Sequence, residues 1–210
     1  MDAAGFCLFE TPIGACGLAW AEHNIVGVLL PDDRGAAGTQ ARMQRSFPAA
    51  CELPPPAWVA AIAARIRQLL EGVRDDLCDV PLDMARVPPF HRRVYEVARG
   101  IPAGATLSYG EVAARLGDKG LARAVGQALG QNPFAIVVPC HRVLAAGGMP
   151  GGFSASGGVA TKLRLLAIEG ARATSQLALF DGDGAFGFDP RVAVAHVRAS
   201  DTALARVIDA

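Results

Sequence analysis

Residues 108–130 read SYGEVAARLGDKGLARAVGQALG, and the fold of the middle of the chain turns on them. Ser108 and Glu111 stand at the S-x-x-E spacing of a capping box, in which serine and glutamate satisfy the free N–H groups that open a helix. A helix starting there would run to Leu116. Gly117-Asp118-Lys119-Gly120 reads as a tight turn, and Leu121 to Gly130 as a further helix carrying the small residues Ala122, Ala124, Gly126 and Ala128. Two short helices across a glycine-containing turn have the shape of a helix-turn-helix. Upstream, Phe90, Val94, Val97 and Ala98 share one face of a helix that ends at Gly100. Downstream, Phe134 to Val138 reads as a short buried strand or extended segment leading into Pro139. The loop that follows has Gly-Gly pairs starting at 147, 151 and 157, suited to close approach of backbone to a ligand or to lid movement. A last helix, Val159 to Glu169, would place Leu163, Leu166 and Ala167 on one face.

The N-terminal part has a different grammar. Residues 6–11, 15–21 and 25–30 are short apolar or alternating runs separated by turn residues, which predicts an antiparallel meander. Asp32 to Gly38 reads as a polar loop. Ala57 to Leu70 follows Pro54-Pro55-Pro56 and has Val59, Ile62, Ile66, Leu69 and Leu70 at helical spacing, predicting one helix over the sheet, and Leu77 to Leu82 would add a strand. Val87-Pro88-Pro89 stiffens the backbone and marks a boundary. The expected division is therefore 1–85, a small α/β domain; 88–171, a mainly helical domain; and 172–210, a linker followed by an amphipathic helix over 189–208.

Composition narrows the classes. Half the residues are apolar, enough for a sizeable core, and no apolar run approaches the roughly 20 residues that span a bilayer. The start, Met1-Asp2-Ala3-Ala4-Gly5, lacks the basic-then-apolar pattern of a secretory signal, so a cytoplasmic protein is expected. Net charge is zero, but residues 86–172 carry 11 Lys/Arg against 4 Asp/Glu, between acidic flanks with 6 against 11 and 3 against 5. A basic middle points to a polyanion partner, because Lys and Arg neutralise phosphates and release counterions. Five cysteines, at 7, 16, 51, 78 and 140, are widely spaced with no C-x-x-C, which supports neither a disulfide framework nor a structural zinc site. Cys7, Cys16 and Cys78 lie in strand-like apolar stretches and are expected as small core residues.

Cys140 stands apart. It is followed by His141 within Pro139-Cys140-His141-Arg142-Val143, and a neighbouring imidazole is a usual means of making a thiolate, the strong nucleophile. Arg123-Ala124-Val125-Gly126, then Gln131-Asn132-Pro133, then Pro139 to Val143, and finally Leu165-Leu166-Ala167-Ile168-Glu169-Gly170 together resemble the O6-alkylguanine-DNA alkyltransferases (methylated-DNA–protein-cysteine methyltransferases). The likeness runs over about residues 88 to 171. It implies a ribonuclease-H-like N-terminal domain with a small antiparallel sheet, and a winged-helix-like DNA-binding domain holding Cys140. It also implies irreversible transfer of an alkyl group from O6 of guanine to Cys140, with O4 of thymine left open as a second target, and with each molecule acting once, as a monomer, on double-stranded DNA.

Carried over residue by residue, the resemblance makes Cys140 the nucleophile and His141 its base through a water, with Glu169 orienting the imidazole. Asn132 would brace the active-site turn, and Tyr109 would give a proton to N3 of the departing guanine. Arg123 would enter the base stack in place of a flipped nucleotide, with Ala122, Ala124, Gly126 and Arg142 at the DNA. The Val143 carbonyl, Phe153 and the Ser154 N–H would hold the flipped guanine. Ser154 and Ser156 compete for that last role, because Gly152 to Gly158 is two residues longer than the pattern in some members. The zinc ligands of some members are not matched at Cys16 or His23, so neither metal nor cofactor is expected.

Beyond the match, Gln176-Leu177-Ala178-Leu179-Phe180 resembles the Q-L-x-L-F peptide by which bacterial repair proteins dock on the sliding clamp; the alternative is that Leu177, Leu179 and Phe180 pack on the body. Three other functions compete: a module that binds alkylated bases without repairing them, a Cys/His thiol hydrolase, and a helix-turn-helix regulator. Relatives of the first kind lack the cysteine. The second leaves Arg123, Tyr109 and the basic segment without a task, and the third lacks a dimerisation segment.

Overall fold

The computed structural model describes residues 3–171. The clamp-like peptide and the amphipathic stretch of 189–208 lie outside them. Strands β1 (Gly5–Phe9), β2 (Cys16–Trp20) and β3 (Ile25–Leu29) form an antiparallel sheet in the order β1-β2-β3. Alternation divides their side chains between two faces. Cys7, Cys16, Leu18 and Trp20 pack with Val59, Ile62 and Ile66 of α2 (Ala57–Leu70). Phe6 and Ala19 pack with Met43 of α1 (Gly35–Ser46) on the other side.

Helix α1 replaces the tail of the expected polar loop. Its stretch has two glycines and one large apolar residue, so it shows no apolar stripe. Thr39 ties it down instead, its hydroxyl donating to the Ala15 carbonyl at 3.0 Å and accepting from the Asp32 N–H at 3.0 Å. The expected strand over 77–82 is also absent. Arg99 donates through one nitrogen to the carbonyls of Leu77, Cys78 and Val80, wrapping this segment into a turn, and only Leu82 bridges to Ile25. That turn leaves Cys78 exposed, contrary to its expected place in the core; Cys7 and Cys16 are buried.

Helix α3 (Pro89–Arg99) has proline in its first turn, where a missing N–H costs nothing. A two-residue strand β4 (Leu107–Ser108) leads into α4 (Tyr109–Arg115), and the capping box is present in both directions: Glu111 N–H to the Ser108 hydroxyl, and Ser108 N–H to the Glu111 carboxylate. A 3-10 turn, Lys119–Leu121, precedes α5 (Ala122–Gly130). Val94, Tyr95, Val112, Val125, Ala128 and Phe134 make the core of this part. β5 (Val143–Leu144) pairs in parallel with β4, and α6 (Gly158–Ile168) closes the described chain. On α6 the buried face is Lys162, Leu165 and Leu166; Ala167, expected on it, is exposed.

Phe134 to Val138 is not a regular strand. Ile136 has φ +73°, a left-handed conformation unusual for a β-branched side chain, and it turns the segment back so that the Val138 N–H donates to the Phe134 carbonyl. Val28 of β3 holds the start of this segment, donating to Pro133 O at 2.8 Å and accepting from the Ala135 N–H at 3.2 Å. Ile136, Val137 and Leu165 share a core with the N-terminal sheet. Among the described residues no helix is long and apolar enough to cross a membrane.

Candidate active site

Cys140 opens a 3-10 turn, Cys140–Arg142, whose position follows from the packing around it. Asn132 brackets the approach: its amide donates to the Val138 carbonyl at 2.8 Å and its oxygen accepts from the Phe134 N–H at 2.9 Å. The Cys140 N–H donates to Val138 O. The half-buried thiol lines a cavity of about 400 Å³ together with Tyr109, Leu129, Phe153, Ser154 and the glycines Gly126, Gly130 and Gly152. A second cavity of about 390 Å³, beside Val26, Phe47 and Pro133, holds neither thiol nor imidazole.

Behind the thiol lies a buried charged cluster. His141 Nε2 and Glu169 Oε1 are 3.0 Å apart, with both side chains almost wholly out of solvent. Arg142 forks onto the same carboxylate at 2.8 and 2.7 Å and also donates to the Ile101 carbonyl. Arg142 was expected at the DNA; it is 1% exposed and committed to Glu169, so it serves the interior. Burial opposes ionisation of Glu169, but the hydrogen bonds from His141 and Arg142 bring its pKa down to about 2. Burial lowers that of His141, against the pull of Glu169, with the charges of Arg142 and Lys162 acting in the same direction as burial. The imidazole is therefore neutral at neutral pH. With Nε2–H donated to an ionised Glu169, its lone pair sits on Nδ1, which is buried and has no hydrogen-bond partner among the described residues.

Burial pushes the Cys140 thiol up, opposed by a hydrogen bond from Asn132 and by the charge of Lys162. Tyr109 is also raised, by burial and then by Cys140. The Ser154–Ser156 ambiguity has a geometric side. Ser154 lines the cavity, whereas Ser156 turns toward Asp32 and Arg42, 3.5 Å from each. The Val143 carbonyl accepts from Lys162 Nζ at 2.6 Å.

On α5, Arg123 is exposed while Ala122, Ala124 and Gly126 are partly covered. Arg115 and Lys119 are exposed on the same helix-turn-helix. Other cations of the basic segment bind main-chain carbonyls: Arg92 those of Ala85 and Val87, Arg93 that of Leu116, and Arg99 the turn described above. Two residues near the site carry no assignment from sequence. Tyr95 donates to the Ala128 carbonyl at 2.9 Å, pinning α3 to α5 beside Cys140. Lys162 is fully buried, its Nζ 5.6 Å from the centroid of the Tyr109 ring, and its spacing with Leu165, Leu166 and Glu169 on one helical face was the available signal.

A family model described as "6-O-methylguanine DNA methyltransferase, DNA binding domain" matches residues 89–171. A methylated-DNA–protein-cysteine methyltransferase of Mycolicibacterium paratuberculosis is 50% identical over 123 residues, 58% of this chain and 73% of that one. One of Methanothermobacter thermautotrophicus is 35% identical over 159 residues, 76% of this chain and 81% of its own. The chain belongs to the methylated-DNA–protein-cysteine methyltransferase family. The crystal structure of Mycobacterium tuberculosis OGT in complex with DNA is similar with a TM-score of 0.64 at 34% identity, covering 84% of this chain and 99% of that one. Likeness to methyltransferases of this family thus extends through the N-terminal sheet, beyond the residues of the family model. The fold is mixed α/β, as expected from the sequence.

Proposed function

We propose that the protein repairs O6-alkylguanine in double-stranded DNA by moving the alkyl group to Cys140, once per molecule. The observation that carries this reading is a thiol lining a base-sized cavity, backed by an ionised Glu169 and a neutral imidazole whose Nδ1 has no hydrogen-bond partner among the described residues, in a chain of this family. The Cys140 proton passes through a water to His141 Nδ1. The thiolate attacks the alkyl carbon, the C–S bond forms as the C–O6 bond breaks, and the electron pair enters the guanine ring. Tyr109 gives its phenolic proton to N3, so that neutral guanine leaves. His141 and Tyr109 then exchange protons with solvent, which closes the balance. Phe153, Ser154 and the Val143 carbonyl hold the flipped base, and Arg123 fills its place in the stack from α5.

The same reading treats residues 1–85 as ribonuclease-H-like and 88–171 as a winged-helix-like DNA-binding domain, supported by the meander and by the α4–turn–α5 unit. It describes a cytoplasmic monomer without a cofactor. Mixing the protein with duplex DNA containing O6-methylguanine and weighing it intact tests the reaction. A gain of one methyl group, lost in Cys140→Ala, is expected. Unmodified protein that still binds the lesion would favour the non-catalytic module; turnover of a thioester or amide without methylation would favour the hydrolase. Residues 176–180 support a second contact, docking on the sliding clamp. Wild-type protein should retain the clamp in a pull-down and Phe180→Ala should not; equal retention removes the idea.

A further inference from the structure

Helix α6 and its C-cap residue Glu169 bring two ionisable side chains, Lys162 and Glu169, into the interior, and they are treated unequally. Glu169 has two partners of opposite charge. Lys162 is fully buried, and among the described residues no carboxylate pairs with it; its one hydrogen bond runs 2.6 Å to the Val143 carbonyl. Its ammonium lies 5.6 Å from the centroid of the Tyr109 ring. The titratable groups it faces are Cys140 and His141 on the active-site turn and Tyr109 on α4. A buried ammonium facing only neutral groups is costly. A neutral thiol does little to offset that cost, whereas a thiolate offsets it directly, and each ion lowers the penalty of burying the other.

We propose that Lys162 is a positioning residue for alkyl transfer: its ammonium is the counter-ion of the Cys140 thiolate, and its grip on the Val143 carbonyl and the Tyr109 ring fixes two walls of the guanine site. This rests on Cys140 being the alkyl acceptor. Lys162 keeps its proton throughout; the thiol proton goes to His141, and methylation replaces the thiolate by a neutral thioether. Burial lowers the Lys162 pKa to about 8, with Cys140 acting the other way, so the ammonium predominates at neutral pH.

The test uses the full chain as wild type, Lys162→Met and Lys162→Gln. Single-turnover methylation on O6-methylguanine duplex is followed by intact mass, and the pH midpoint of Cys140 labelling by iodoacetamide is read by peptide mapping. Both variants should methylate at least about tenfold more slowly, with the labelling midpoint raised by about one unit, the two being the same energy. Lys162→Gln keeps a donor for Val143 without the charge, so a folded Lys162→Gln with wild-type rate and midpoint overturns the counter-ion role. Should neither variant fold, the wild-type rate profile decides. A required ammonium makes the rate fall above about pH 8, whereas a plateau continuing to pH 9.5, roughly a unit and a half beyond that value, overturns the proposal. If wild-type protein gains no methyl group, the functional reading falls separately, and an unmoved labelling midpoint still overturns the ion pair.

Discussion

Glu169 is the residue on which the charges behind the thiol depend. One carboxylate accepts from His141 and from two nitrogens of Arg142, so removing its charge leaves a guanidinium buried without an anion. Glu169→Gln is expected to cost about 3 kcal/mol in a urea titration, the usual scale for breaking a buried pair from one side, and to slow methyl transfer. The pH dependence has a definite sign. The folded pKa of Glu169, about 2, lies below its ordinary value of 4.5. Its contribution is therefore complete above that ordinary value and is lost as pH falls toward 2. Wild type should lose more stability than Glu169→Gln between those limits, and equal losses would contradict the pairing. Sequence could present Arg142 only as a cation beside the nucleophile. Its partner sits 27 residues away, just past the end of α6, a distance no local pattern encodes.

At the scale of elements, α5 exposes Arg123 and keeps Ala122, Ala124 and Gly126 partly covered. Arg123 makes no hydrogen bond or ion pair among the described residues, so Arg123→Ala should leave the fold and its melting temperature unchanged. Methylation on duplex DNA should slow by about tenfold or more, while reaction with free O6-methylguanine base stays the same, which separates base extrusion from chemistry. A parallel loss on both substrates would place Arg123 elsewhere in the mechanism. Local chemistry made this unit legible: the capping box, the Gly117 turn and the helical spacing all act within a few residues. Helix α1 was hidden because Thr39 holds it through bonds to residues 7 and 24 positions away. The segment before Pro139 was hidden too, because an apolar run does not reveal that Ile136 turns left-handed.

Across the whole molecule, the uneven charge along the chain pointed to a phosphate-bearing partner, but much of the basic surplus is internal. Arg142 and Lys162 are buried, and Arg92, Arg93, Arg99 and Arg164 hold main-chain oxygens, while Arg115, Lys119 and Arg123 place exposed charge together on one helix-turn-helix. The join between the N-terminal sheet and the segment leading to Cys140 has its own logic. Val28 holds that segment through its N–H and its carbonyl, groups that almost every amino acid supplies. A joint written in main chain places few demands on side-chain identity, so the sheet can drift in sequence while its register against Pro133 and Ala135 persists. Exchange of the first three strands between distant members then becomes a question of backbone register rather than of matched residues.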